Sequence, residues 1–152
     1  MNASTPATLK RLVNSSVLYI VIALIAGTVA VQANLPAQPM GEGSGSGRPV
    51  LEEFLFGNGT AMSPGIPWLI AQIILTFLAF RRNWLGTVGV LGLSFHALLS
   101  GIFSMTEPNF QKVFSPATFD LFRAAIQLGV TVTPFVIMVF GILEWRRRRG
   151  EK

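Results

Sequence analysis

The chain of 152 residues has no cysteine, one histidine and only 12% charged residues. The missing cysteines exclude disulfides, thiolate metal sites, cysteine nucleophiles and redox dithiols. One histidine cannot supply both axial ligands of a haem, and there is no H-E-x-x-H run. About a quarter of the residues of soluble proteins are charged, so the shortage here points to lipid as solvent. No aspartate or glutamate lies in the middle of any long apolar run. A histidine in such a run then lacks a carboxylate to orient it, and ion-coupled transport lacks its usual intramembrane acid. The glycines of 41–47 have the wrong spacing for G-x-G-x-x-G and no G-K-[ST] follows them, so they read as a flexible linker.

What the chain does contain is apolar length. The stretch Trp84 to Met105 has no formally charged side chain and is entered from Arg81-Arg82. As a helix it is about 33 Å long, enough to cross a bilayer. Three further apolar runs follow the same logic. Each is preceded by a [ST]-Pro pair, Thr5-Pro6, Ser63-Pro64 and Ser115-Pro116, which reads as an N-cap and a proline at the first helical position. The expected fold class is an all-α integral membrane protein, with four transmembrane helices in an antiparallel bundle. The helices are placed at about 6–33, 63–80, 84–105 and 116–146, with extracytoplasmic loops 34–62 and 106–115. The run before Ala33 also fits a cleavable signal peptide, because its strongest part, Val17 to Ala30, is short. Val50 to Phe56 reads either as a short helix on the membrane surface or as a loop with an apolar anchor. Asn58-Gly59-Thr60 matches the glycosylation triplet, as do Asn2-Ala3-Ser4 and Asn14-Ser15-Ser16, so the triplet says little here.

Orientation follows from the cations. Of the twelve lysines and arginines, nine fall on the side of the N-terminus: Lys10, Arg11, Arg81, Arg82, Arg146, Arg147, Arg148, Arg149 and Lys152. Arg48, Lys112 and Arg123 fall on the other. The excess places both termini in the cytoplasm, in a plasma or bacterial inner membrane. Trp68, Trp84 and Trp145 lie near helix ends and read as interfacial anchors. Arg146 to Arg149 read as an anchor on anionic lipid.

Small and polar residues mark the faces where helices meet in lipid. Gly92, His96, Ser100 and Ser104 recur at i+4, which turns His96 toward the bundle. Gln72 with Thr76, and Thr131 with Gln127 one turn outward, could share its depth, as a packing cluster or as the lining of a small polar pocket. Arg123 stands near the outer end of the fourth helix, paired with Asp120 on the same face or anchoring an acidic group such as Glu52-Glu53. Pro134 should kink the fourth helix, with Thr131 and Thr133 near the freed carbonyl.

No catalytic constellation, cofactor pattern or metal site is visible. The expected function is a non-enzymatic accessory or scaffold subunit that binds other membrane helices. The alternative is an oligomeric transporter, or a lipid- or small-molecule-binding protein with a polar pocket around His96. Expected partners are the bilayer with its anionic lipid and a membrane protein or a second copy, not nucleic acid.

Overall fold

A computed structural model describes residues 6–35, 48–106 and 120–150. Among them are five helices and no strand: α1 Ala7–Gln32, α2 Val50–Phe56, α3 Ile66–Ala79, α4 Trp84–Thr106 and α5 Leu121–Gly150. Three of them, α1, α4 and α5, are long and apolar enough to cross a membrane. The 41–47 linker, Thr5, Ser115-Pro116 and Lys112 lie outside the described residues.

Helix α5 packs along both α1 and α4, α4 also packs on α3, and α1 touches α2 and α3. The periodicity of α1 shows why. Leu12, Ser16, Tyr19, Ala23, Ala26 and Ala30 recur on one face and are almost fully buried, while Val17, Leu18, Val21, Leu24 and Ile25 recur on the other and stand about half exposed. This is the 3.6-residue period of a helix with one packed face, except that its outer face is apolar too. The interfaces are built on small residues. A Cβ on Gly141 would collide with Ser94 Oγ and lie 3.5 Å from Val90 O, and one on Gly101 would lie 2.8 Å from the Phe135 ring. The backbones of α4 and α5 therefore approach as small-residue interfaces in lipid do.

The helix starts differ from the [ST]-Pro expectation. Pro6 itself stands at the N-cap of α1, Gly65 stands there in α3 with Pro67 in the first turn, and neither helix has a side-chain cap bond. The Ser63 hydroxyl instead donates to Pro64 O at 3.0 Å. Helix α5 is described from Leu121, and Asp120 caps it, its Oδ1 accepting from Phe122 N at 2.9 Å and Arg123 N at 3.3 Å; the start expected at Ser115-Pro116 lies outside the described residues. The carboxylate of Asp120 accepts two of the amides left free in a first turn.

Helix α3 has 14 residues, which is about 21 Å and less than a bilayer core. It is preceded by 57–65, a compact turn rather than a helix extension. Gly59 has φ 112°, in the left-handed region that a side chain disfavours. Thr60 N donates to Ser63 O at 2.8 Å, the Thr60 hydroxyl accepts from Met62 N and Ser63 N, and Ala61 N donates to Leu35 O at 3.2 Å. Irregular backbone beside apolar helices is tolerated when its polar groups are satisfied in this way. Of the two readings of 50–56, the helix is observed. Phe54 lies over Gly27 of α1, and Phe56 is turned outward.

Candidate functional site

The hydroxyl groups on the helix faces spend their own protons locally. Thr76 donates to Gln72 O, Ser94 to Val90 O, Ser100 to His96 O and Thr131 to Gln127 O, all one turn back. Their oxygens are then left as acceptors for the next helix.

Two hydrogen-bonded rings result, and they have the same composition. In the first, Gln72 Nε2 donates to Ser16 Oγ at 2.9 Å, Ser16 lies 2.7 Å from Thr76 Oγ1, and Thr76 returns the chain to Gln72 O at 2.7 Å. Because the Thr76 proton is committed, Ser16 is the donor between the two hydroxyls. In the second, Gln127 Nε2 donates to Ser104 Oγ at 3.2 Å, Ser104 lies 2.7 Å from Thr131 Oγ1, and Thr131 returns to Gln127 O at 2.9 Å. Each ring is a Gln-x-x-x-Thr pair on one helix closed by a serine from another. The first ties α3 to α1 and the second ties α5 to α4. In both, the Gln Oε1 is buried without a partner.

His96 lies between the rings on α4. It is buried, and its ring stacks on the Trp68 indole with centroids 4.1 Å apart and planes 23° apart. Trp68 Nε1 donates to Ser100 Oγ at 2.7 Å, and the Tyr19 hydroxyl from α1 points toward the same serine without a hydrogen bond to it. Trp68 is thus turned partly inward as a wall for the histidine, not placed only as an interfacial anchor. His96 Nε2 and Tyr19 Oη are both buried without a partner. The sequence-derived cluster of His96, Gln72 and Thr131 is therefore divided. Gln72 and Thr131 sit in different rings, and His96 holds an aromatic contact between them. Thr131 serves Gln127 O rather than the carbonyl freed by Pro134, and α5 remains helical through that proline. Arg123 pairs with its own Asp120 at 3.5 Å, both about half exposed.

The centre that sequence reasoning missed is Glu144. It is fully buried near the end of α5. Its Oε1 accepts from Arg147 Nη2 at 2.7 Å and Arg148 Nε at 2.8 Å, and its Oε2 accepts from Arg147 Nε at 2.9 Å and from the Thr8 hydroxyl at 2.5 Å. Arg148 goes on to Ala79 O at 2.6 Å and Arg81 O at 3.1 Å, carbonyls at the C-terminal end of α3 that lack a partner within the helix. Gly86 gives this arginine its path, because a Cβ there would meet Arg81 O and the Arg148 guanidinium. Of the four arginines read as a membrane anchor, Arg147 and Arg148 are committed to this node. Arg146 and Arg149 point outward, and Arg149 lies 4.5 Å over the Trp145 ring. The signal was present as Glu144-x-x-Arg147-Arg148, the i+3 and i+4 spacing of helical ion pairs.

Among the described residues no three of His, Cys, Asp and Glu come together as a metal site. Comparison with family models, with curated proteins and with solved structures returned no match.

Proposed function

We propose that this chain is a small polytopic membrane protein acting as a non-enzymatic accessory or scaffold subunit. Helices α1, α3, α4 and α5 would cross the bilayer as an antiparallel four-helix bundle. The surplus of lysine and arginine would hold both termini in the cytoplasm of a plasma or bacterial inner membrane. The observation that carries the reading is the use made of the buried polar side chains. The amides of Gln72 and Gln127 and the Thr8 hydroxyl each donate to a side chain on another helix, in two rings and one charged node, while the outer faces keep large apolar residues such as Phe77, Phe95 and Phe122 exposed. Such a molecule offers apolar helix surface rather than a reaction centre. Partner helices, from another membrane protein or a second copy, would lie on those faces.

Topology is tested by single cysteines. Those introduced at Ser44 and Gln111 should react with an impermeant thiol reagent applied to intact cells, and one at Asn83 should not. Reversed labelling overturns the orientation. Native mass spectrometry of the chain released from nanodiscs then tests the role, and a stoichiometric foreign subunit is the expected result.

A second reading has one observation in its favour. Tyr19 Oη, Gln72 Oε1, His96 Nε2 and Gln127 Oε1 are four buried polar atoms without partners among the described residues, and each such group calls for an explanation. A polar pocket around His96 for a small uncharged molecule, in an oligomeric transporter or binding protein, would use them. A homo-oligomer released with a defined small molecule would favour this reading over the first.

A further inference from the structure

The end of the molecule where Thr8 meets Glu144 carries more positive charge than its internal contacts consume. Six cations are exposed there: Lys10 and Arg11 on α1, Arg81 and Arg82 between α3 and α4, and Arg146 and Arg149 on α5. Among the described residues, Glu144 is the one acid at this end. Its two oxygens already accept four hydrogen bonds, three of them from Arg147 and Arg148. The carboxylate therefore occupies both of those guanidiniums while offsetting one of their two charges, and among the described residues no acid is left for the six exposed cations. The same contacts fasten the three segments to one another. Thr8 ties α1 to Glu144, and Arg148 ties α5 to the carbonyls of Ala79 and Arg81.

The surface behind the cations is apolar and aromatic. Phe77 is 70% exposed, Phe80 49% and Trp84 70%, and Arg149 rests on Trp145. A soluble acidic partner would meet this greasy border unfavourably. A phospholipid leaflet matches it layer by layer, with phosphate at the cations, the interface at the tryptophans and acyl chains at the phenylalanines. Guanidinium forks also suit phosphate oxygens, which they bind in pairs.

We infer that these six cations form one composite surface that selects anionic phospholipid headgroups over zwitterionic ones, with Arg147 and Arg148 withheld from it by Glu144. The inference rests on the membrane reading above. It adds that the lipid site is assembled from three separated segments and is not the run of four arginines.

The test uses the full chain in nanodiscs of equimolar phosphatidylglycerol and phosphatidylcholine, with native mass spectrometry counting the lipids that stay bound on release. The wild type should retain phosphatidylglycerol in excess. Arg81→Gln with Arg82→Gln should lower that preference about as much as Arg146→Gln with Arg149→Gln, each roughly 25-fold, or about fivefold per charge. Arg123→Gln, at the other end of α5, should leave it unchanged. Arg81, Arg82, Arg146 and Arg149 are exposed and Arg123 is partly so, and an unaltered melting temperature in detergent checks that the fold survives. Loss confined to the Arg146 and Arg149 pair overturns the composite surface in favour of a simple basic tail. A wild type seated in the disc without phosphatidylglycerol excess overturns headgroup selection and leaves the membrane reading standing. A chain absent from the disc overturns both.

Discussion

Gln72 and Glu144 are both fully buried, and both reach the same helix. Gln72 meets Ser16 of α1, and Glu144 meets Thr8, two turns earlier along α1. The contact at Gln72 is neutral and closes on itself through Thr76, with the amide oxygen left over. The contact at Glu144 is ionic, and every bond its two oxygens make is to a donor from a neighbouring turn or helix. Depth accounts for the difference. An isolated ion in the middle of an apolar bundle costs several kcal/mol, and long cationic side chains reach a carboxylate only near a helix end, where their heads stay close to water. Neutral rings thus join helices where no counter-ion is available, and a charged node joins them where one is.

Removing the carboxylate should have the largest effect. Glu144→Ala leaves the Arg147 and Arg148 guanidiniums facing each other with no anion. Because Arg147 keeps 28% of its side-chain surface exposed, the expected loss lies at the lower end of that for a broken buried pair, about 3 kcal/mol, read by thermal or denaturant unfolding in a mild detergent. A loss below about 1 kcal/mol would mean that water already screens the node. Gly141→Leu comes next. It forces α4 and α5 apart at Ser94 and Val90 and should cost about 2 kcal/mol, with Gly141→Ala milder because Ser94 Oγ can rotate away.

The two rings sharpen the comparison, because they should respond alike. Ser16→Ala and Ser104→Ala each strand a glutamine amide and should each cost about 1 kcal/mol. Unequal losses would show that the shared geometry hides different environments. The smallest effect is expected at Arg123→Gln. An exposed pair on one helix contributes a few tenths of a kcal/mol, and the Asp120 cap remains. A larger loss would mean that Arg123 holds something besides Asp120.

Much of this organisation is legible in the sequence, and the gaps have physical causes. Apolar length suffices to find α1, α4 and α5, since crossing the hydrocarbon of a bilayer demands it. The i+4 row of Gly92, His96, Ser100 and Ser104 suffices to find the packed face of α4. Partners are not legible, because which helix supplies the third member of a ring depends on packing and not on spacing. Ser16 lies in the Asn14-Ser15-Ser16 triplet, whose sequence says nothing of a partner, and it closes the first ring. Glu144 escaped notice because its arginines carry a stronger local meaning as a basic cluster. The Asp120 cap of α5 is legible only in part, because Ser115-Pro116 and Asp120 both fit a helix start by residue type.

The Thr8–Glu144 bond has a consequence for how the molecule is made. Its two ends are 136 residues apart in the chain, and the ribosome supplies them in that order. Helix α1 is synthesised first, and its main packing partner, α5, is the last of the described helices to appear. Ser16 meets Gln72 and Thr76 once α3 is made, but Thr8 meets its acceptor only when Glu144 of α5 follows. A chain halted before Glu144 would lack the contact that joins α1 to the end of α5. The node therefore marks a chain in which α5 has been made and docked.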